Sequence, residues 1–150
     1  MVNESYLAGL FDGDGYFTIA KVKGKPGMTV REYRFQAYAA ITLREGWALE
    51  KVRDLFGGHL KLNKARSQNH ADTYNLTWTG KALFNVLPTL VACCLLKKRH
   101  ATLVFELCKL KQIIRNQPVS DDLYNRQLEI YQQLQICNKK GVSKDANQIA

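Results

Sequence analysis

Acidic residues are the scarce class in this 150-residue chain: 13 Asp and Glu stand against 22 Lys and Arg, leaving a formal charge of +9. Cysteine and histidine are scarcer still, at four and three. None of Cys93, Cys94, Cys108 and Cys137 stands at metal-ligand spacing, and adjacent Cys93 and Cys94 read as buried apolar filler in a reducing compartment. A disulfide scaffold is not expected. His59, His70 and His100 lack the spacing of a zinc site, and no histidine-rich nuclease motif is visible. No apolar run approaches the ~20 residues of a membrane span, and no basic-then-apolar leader opens the sequence, so no membrane partner is expected.

What is present is ordinary globular composition, 46% hydrophobic and 23% charged, in 17.1 kDa. That predicts one domain with one sizeable core over residues 1–138, followed by a basic, polar tail at 139–150. The positive charge is patchy: Lys21, Lys23, Lys25, Arg31 and Arg34, then Lys61, Lys64 and Arg66, then Lys97, Lys98 and Arg99, and finally Lys139, Lys140 and Lys144. A basic surface points to a polyanion, of which nucleic acid is the commonest; a ribosomal or merely well-solvated basic protein is the bland alternative.

The most informative stretch is Tyr6-Leu-Ala-Gly-Leu-Phe-Asp-Gly-Asp-Gly-Tyr-Phe17. It reads as a helix over 4–13 with Gly9 and Gly13 one turn apart, running into Asp12 and Asp14 and then into a strand. Glycine inside a helix costs roughly 1 kcal/mol against alanine, so two on one face suggest that another backbone comes close there. Asp-Gly-Asp-Gly alone is usually a turn. The longer run Leu7-Ala-Gly-Leu-Phe-Asp-Gly-Asp-Gly15, however, resembles the signature of the LAGLIDADG homing endonucleases, departing from its nine letters only at Phe11 and Gly13.

Periodicity supplies the rest of the outline. Tyr16-Phe-Thr-Ile-Ala20 alternates as a strand, and Gly24-Lys-Pro-Gly-Met28 is turn chemistry. In the return strand Arg34, Gln36 and Tyr38 share one face, with Phe35, Ala37, Ala39 and Ile41 on the other. A helix from Trp47 to Phe56 stops at Gly57-Gly58; then His59, Lys61 and Asn63 alternate with leucines, and Thr73, Asn75 and Thr77 with Tyr74, Leu76 and Trp78. Helices are predicted over 80–92 (with Pro88 inside), 98–116 and 120–137. The outcome is an α+β fold, an αββαββα core whose antiparallel, saddle-shaped sheet carries helices on one face, plus C-terminal helices. The order matches the fold of the resembled family over about residues 4–115.

The polar sheet face has the chemistry to read base edges: Tyr16, Thr18, Arg34, Gln36, Tyr38, His59, Lys61, Asn63, Thr73 and Asn75, with Lys139 and Lys140 in the tail. Ala20 and Ala40 on that face would tolerate bases or touch thymine methyls. Lys21 and Lys23 are assigned to DNA as well, yet they share the parity of core-facing Phe17 and Ile19. Either the strand bulges near Ala20 or it projects beyond the core. A ten-residue strand spans roughly 33 Å, so one chain tracks about ten base pairs and two chains about twenty.

Asp12 and Asp14 would point about 200° apart on a continuing helix, so they cannot serve one metal alike. Asp14 is the expected metal ligand and Asp12 the holder of the turn or of the local backbone. The resemblance implies the same, adding the Gly13 carbonyl at the metal, Mg2+ as cofactor (Mn2+ substituting, Ca2+ binding without cleavage), and Lys97 in support of the attacking water, with Lys98 one place away. Lys97-Lys98-Arg99 also fits an ordinary basic helix start. A single carboxylate per chain predicts a homodimer packed through Leu7, Gly9, Leu10 and Gly13, bringing two Asp14 residues together. Where related enzymes place a water-orienting glutamine after the second strand, this chain has Leu43-Arg44-Glu45.

The resemblance thus implies a metal-dependent double-strand DNA endonuclease with a long pseudo-palindromic target, serving intron mobility. Its setting would be a chloroplast or mitochondrion, or a prokaryotic cytoplasm. An intron RNA maturase or non-cleaving DNA-binding regulator is the alternative, and a structural ribonucleoprotein component the third.

Overall fold

The computed structural model describes residues 1–24, 31–115 and 118–139. The chain enters α1 (Glu4–Asp14) through Asn3, whose side-chain oxygen accepts the amide of Tyr6 at 2.9 Å. Leu7, Ala8 and Phe11 recur at helical spacing and are buried. The helix runs one residue past the predicted 4–13, which makes Asp14 its last residue. Gly15 then leaves directly into strand. A Cβ on Gly15 would lie 2.6 Å from the Cα of Phe11 and against its ring, so the reversal from helix to strand needs glycine.

Four strands follow in one antiparallel sheet of order β1-β2-β4-β3: β1 (Gly15–Lys23), β2 (Tyr33–Leu43), β3 (His59–Asn63) and β4 (Thr73–Thr79). Pairing of β1 with β2 is unbroken from Gly15 opposite Ile41 to Lys23 opposite Tyr33. There is no bulge near Ala20; the strand projects past the core. Lys21 and Lys23 therefore stay on the face of Phe17 and Ile19.

That face is the covered one. Phe17, Ile19, Phe35, Ala39, Ile41, Leu76 and Trp78 are buried on it, against α1, α2 (Gly46–Phe56), α3 (Gly80–Cys93), α4 (Lys98–Ile114) and α5 (Asp121–Asn138). Trp78 is fully buried, with its ring 5.3 Å from that of Phe11 and its indole N–H donated to Phe56 O at 3.1 Å. The predicted stop at Gly57-Gly58 is real: both glycines have positive φ, and a Cβ on Gly58 would lie 2.9 Å from Leu76. Ser120 caps α5 by accepting the amide of Leu123 at 3.3 Å, with Asp121 and Asp122 in the first turn.

All four cysteines are free, and Cys94 is buried. Burial foremost, with the nearby Asp12, pushes its thiol up to about 12. Residues 25–28 of the predicted turn, Lys140, and the tail 141–150 lie outside the described residues. Among the described residues no helix is long and apolar enough to cross a membrane.

Candidate active site and nucleic-acid face

The foot of α1 organises the site. Asp12 accepts three consecutive backbone amides from the α3–α4 turn: Leu95 at 2.8 Å, Leu96 at 3.1 Å and Lys97 at 3.0 Å. A carboxylate holding three N–H groups is a strong anchor, and it leaves little capacity for a cation. Asp12 does hold backbone, as expected, but that of a turn more than eighty residues away rather than its own.

Asp14, two residues on, is exposed. Lys97 is brought to it: its ammonium donates to the carbonyl of Gly15, the residue following Asp14. Burial lowers the pKa of Lys97, while the negative charges of Asp12 and Asp14 pull it partly back. Asp14 and Lys97 thus share the end of the helix, whereas Lys98 is exposed at the start of α4. Gly13 lies in the last turn, where the residue four places on, Phe17, is already in strand and cannot close an intrahelical bond. An exposed carboxylate beside such a carbonyl offers hard oxygen donors, which fits magnesium, an ion that keeps most of its shell as water and phosphate oxygens. Among the described residues no cluster of three or more His, Cys, Asp or Glu side chains forms a self-sufficient metal cage.

The predicted dimer face divides in two. Gly9 and Gly13 are exposed, and a Cβ on either would meet nothing within 4 Å. Leu10 is half-buried against the core. Leu7, however, is fully buried, so it serves this chain's own core and not a partner. The exposed stripe is completed by Tyr6, 40% exposed, which together with Gly9, Leu10 and Gly13 follows helical spacing.

On the open sheet face the register places Tyr16 and Thr18 opposite Ala40 and Tyr38, and Ala20 opposite Gln36, with Arg34 beyond. Asn75 and Thr77 of β4 stand opposite Lys61 and His59 of β3, and Thr73 opposite Asn63. Tyr16, Arg34, Gln36, His59 and Lys61 are exposed; Thr18, Tyr38, Asn63, Thr73 and Asn75 are half-buried. Two assignments change. Lys21 and Lys23 share the parity of the helix-bearing side but stay exposed where the strand runs past the core, with the Lys21 ammonium 4.5 Å from the Tyr33 ring centre and 5.7 Å from that of Tyr131 in α5. Ala40 is fully buried, so it cannot meet a base. The Asn75 amide reaches the Tyr16 hydroxyl at 3.4 Å, and Thr77 donates to Asn75 at 2.8 Å, so these side chains join across β2 where Ala40 lies.

Sequence reasoning missed Asn138, whose amide donates to Phe17 O at 2.9 Å and ties the end of α5 to the edge strand. Exposed Lys139 follows directly. Only the paired geometry reveals such a tie; the sequence shows no more than a polar residue at a helix end. Leu43 packs against the core, and Arg44 and Glu45 are exposed beyond it.

Known proteins share this fold. The homing endonuclease I-CvuI, solved in complex with its target in the presence of calcium, superposes with a TM-score of 0.72 at 16% identity, covering 97% of this chain and 88% of that one. An archaeal intron-encoded homing endonuclease complexed with DNA gives 0.73 at 20% identity, covering 97% and 90%. I-SmaMI, bound to an uncleaved DNA target in the presence of calcium, gives 0.68 at 19% identity; it covers 99% of this chain but 48% of its own. No curated protein matches the chain. The sequence model of the LAGLIDADG endonuclease matches residues 7–109, which include the nine-residue motif, the whole sheet and Lys97. The chain belongs to the LAGLIDADG endonuclease family.

Proposed function

We propose that this protein is a homodimeric, site-specific double-strand DNA endonuclease that hydrolyses phosphodiesters with magnesium and serves the mobility of an intron. The observation that carries the reading is the exposed Asp14 at the foot of a glycine-faced helix, with Lys97 fixed beside it and a polar sheet face open alongside. DNA-bound relatives of the same fold support the substrate class. Asp14 and the Gly13 carbonyl would hold the ion, which supplies Lewis-acid chemistry at the scissile phosphate. Lys97, cationic beside that position, would orient water and balance charge. The sheet residues Arg34, Gln36, His59 and Lys61 would bind the duplex, and two copies would cover about twenty base pairs. An organellar setting, with a prokaryotic cytoplasm as the other option, accords with an intron-encoded origin.

The second reading, a non-cleaving DNA-binding regulator or an intron RNA maturase, draws on Leu43, an apolar side chain at the end of β2 packed against the core. Cleavage selection on a randomised duplex library, with magnesium against calcium or EDTA, separates the two. A magnesium-dependent cut at one partly two-fold-symmetric site is expected, lost in Asp14→Asn with binding retained. Cutting by Asp14→Asn would refute the site; tight binding without any cutting would favour the second reading.

A further inference from the structure

β4 ends where its Thr79 pairs with Tyr38, so from Ala37 back to Tyr33 the strand β2 is paired on its β1 side only, among the described residues. Gly80, at a φ of 54°, turns the chain out of the sheet and into α3. The bare stretch of β2, the start of α3 and the end of α4 thereby bound a cavity of about 360 Å³. Ala37, which lines it, shares the face of Phe35 and Ala39, so the cavity lies on the helix-bearing side of the sheet.

Cations line this cavity and acids do not: Lys81 comes from α3, and Lys111 and Arg115 from the end of α4. No carboxylate pairs with any of the three among the described residues. The Lys111 ammonium donates to Phe35 O at 2.6 Å, in the stretch of β2 that β4 leaves bare, and still has N–H groups to give. Burial foremost lowers its pKa, the Cys108 thiol draws it partly back, and the Arg34 charge lowers it again. Like charges gathered in a concave, partly dry site repel until an anion joins them. The start of α3 adds to the same sign, with no side-chain cap and no acid in its first turn.

The remaining lining narrows the anion. Ala37, Leu83 and Phe84 make an apolar wall, and Gln112 offers both a donor and an acceptor. Inorganic phosphate would use the cations and leave the wall idle. A nucleotide uses all of it: the phosphate meets the cations, the base lies along Phe84, and the base edge reaches Gln112. The volume falls within the roughly 300–1,000 Å³ of small-ligand sites. We propose that this cavity binds a nucleoside monophosphate, either free or as the phosphorylated end of a strand, at a site apart from Asp14 and Lys97. It requires neither cleavage nor a second copy of the chain.

Calorimetry on the full-length protein tests this with AMP, adenosine, and a short oligonucleotide bearing either a 5′-phosphate or a 5′-hydroxyl. AMP, the phosphorylated strand or both should bind with a Kd below about 1 mM, and their unphosphorylated counterparts at least about tenfold more weakly. Binding of AMP marks the free nucleotide as sufficient; binding of the phosphorylated strand alone marks the strand end. Lys81→Ala/Arg115→Ala should weaken the bound probe at least about tenfold with unchanged circular dichroism. Lys64→Ala/Arg66→Ala, which removes the same charge from exposed residues of the β3–β4 connection, should not. In amide NMR spectra the probe should shift Lys81 and Gln112 and leave β3 unmoved. No binding of either phosphorylated probe, equal binding of the unphosphorylated ones, equal losses in the two double variants, or shifts confined to the open sheet face would each overturn the site. None of those results would touch the endonuclease reading, to which neither Lys81 nor Arg115 belongs.

Discussion

At the scale of single residues, the motif's two acids separate by what they touch. Asp12 is committed to three amides and Asp14 to none among the described contacts. Asp12→Asn keeps one acceptor oxygen but turns an N–H toward donors, and the expected cost is about 1–3 kcal/mol of unfolding free energy. Urea denaturation should show it, with no comparable change in Asp14→Asn. Equal midpoints for the two variants would mean that the Asp12 anchor is worth nothing. Lys97 sits between structure and chemistry, since burial already disfavours its charge. Lys97→Met should therefore move stability by less than about 1 kcal/mol yet slow cleavage of bound DNA at least about tenfold. Single-turnover kinetics at saturating DNA give that rate directly, and an unchanged rate would remove Lys97 from the machinery.

At the scale of elements, strand faces and helix ends were readable because each obeys a local rule: alternation where one face is covered, and glycines after α2. What spans elements was not. The acceptor role of Asp12 and the Tyr16–Asn75 link depend on partners 83–85 and 59 residues away. Leu7 was misplaced because α1 is apolar nearly all round, so its core face is decided by packing rather than by pattern. The glycines within and just after α1 make contrasting predictions. Gly15→Ala forces a Cβ onto Phe11 and should cost about 2 kcal/mol or more. Gly9→Ala meets nothing and should raise monomer stability by up to about 1 kcal/mol while weakening self-association. A Gly9→Ala variant that dimerises normally would clear α1 of the interface. The α4–α5 seam carries a pH dependence. His100 is buried, its Nδ1 has no partner among the described residues, and burial foremost, then the Lys97 charge, lower its pKa, against a bond to the Cys137 backbone. A lowered folded pKa means that the unfolded chain takes up the proton first. Stability is then full above the unfolded value of 6.5 and falls from there down to the folded value. Denaturation of wild type and His100→Gln from pH 8 to 5 should show wild type losing more; parallel curves would exclude His100.

At the scale of the whole molecule, charge and shape have to agree. A dimer doubles the +9 of the chain, and only the cations on the open face can lie against a duplex without moving the helices. Among the basic residues of the β1–β2 hairpin, Arg34 is exposed on that face, while Lys21 lies on the other over the rings of Tyr33 and Tyr131. Composition cannot tell these two cations apart; the sheet parity can. If each copy neutralises about four phosphates, the logarithm of affinity should fall with the logarithm of salt at a slope of about −7. Arg34→Ala should flatten the slope by about 1 per copy, since each lost phosphate contact releases one fewer counterion. Lys21→Ala should leave the slope unchanged, although it removes the same charge from the same hairpin. Binding titrations in calcium at several salt concentrations measure both variants side by side. Equal flattening would show that net charge alone drives binding, and would take from the open face its claim to be the surface that meets DNA.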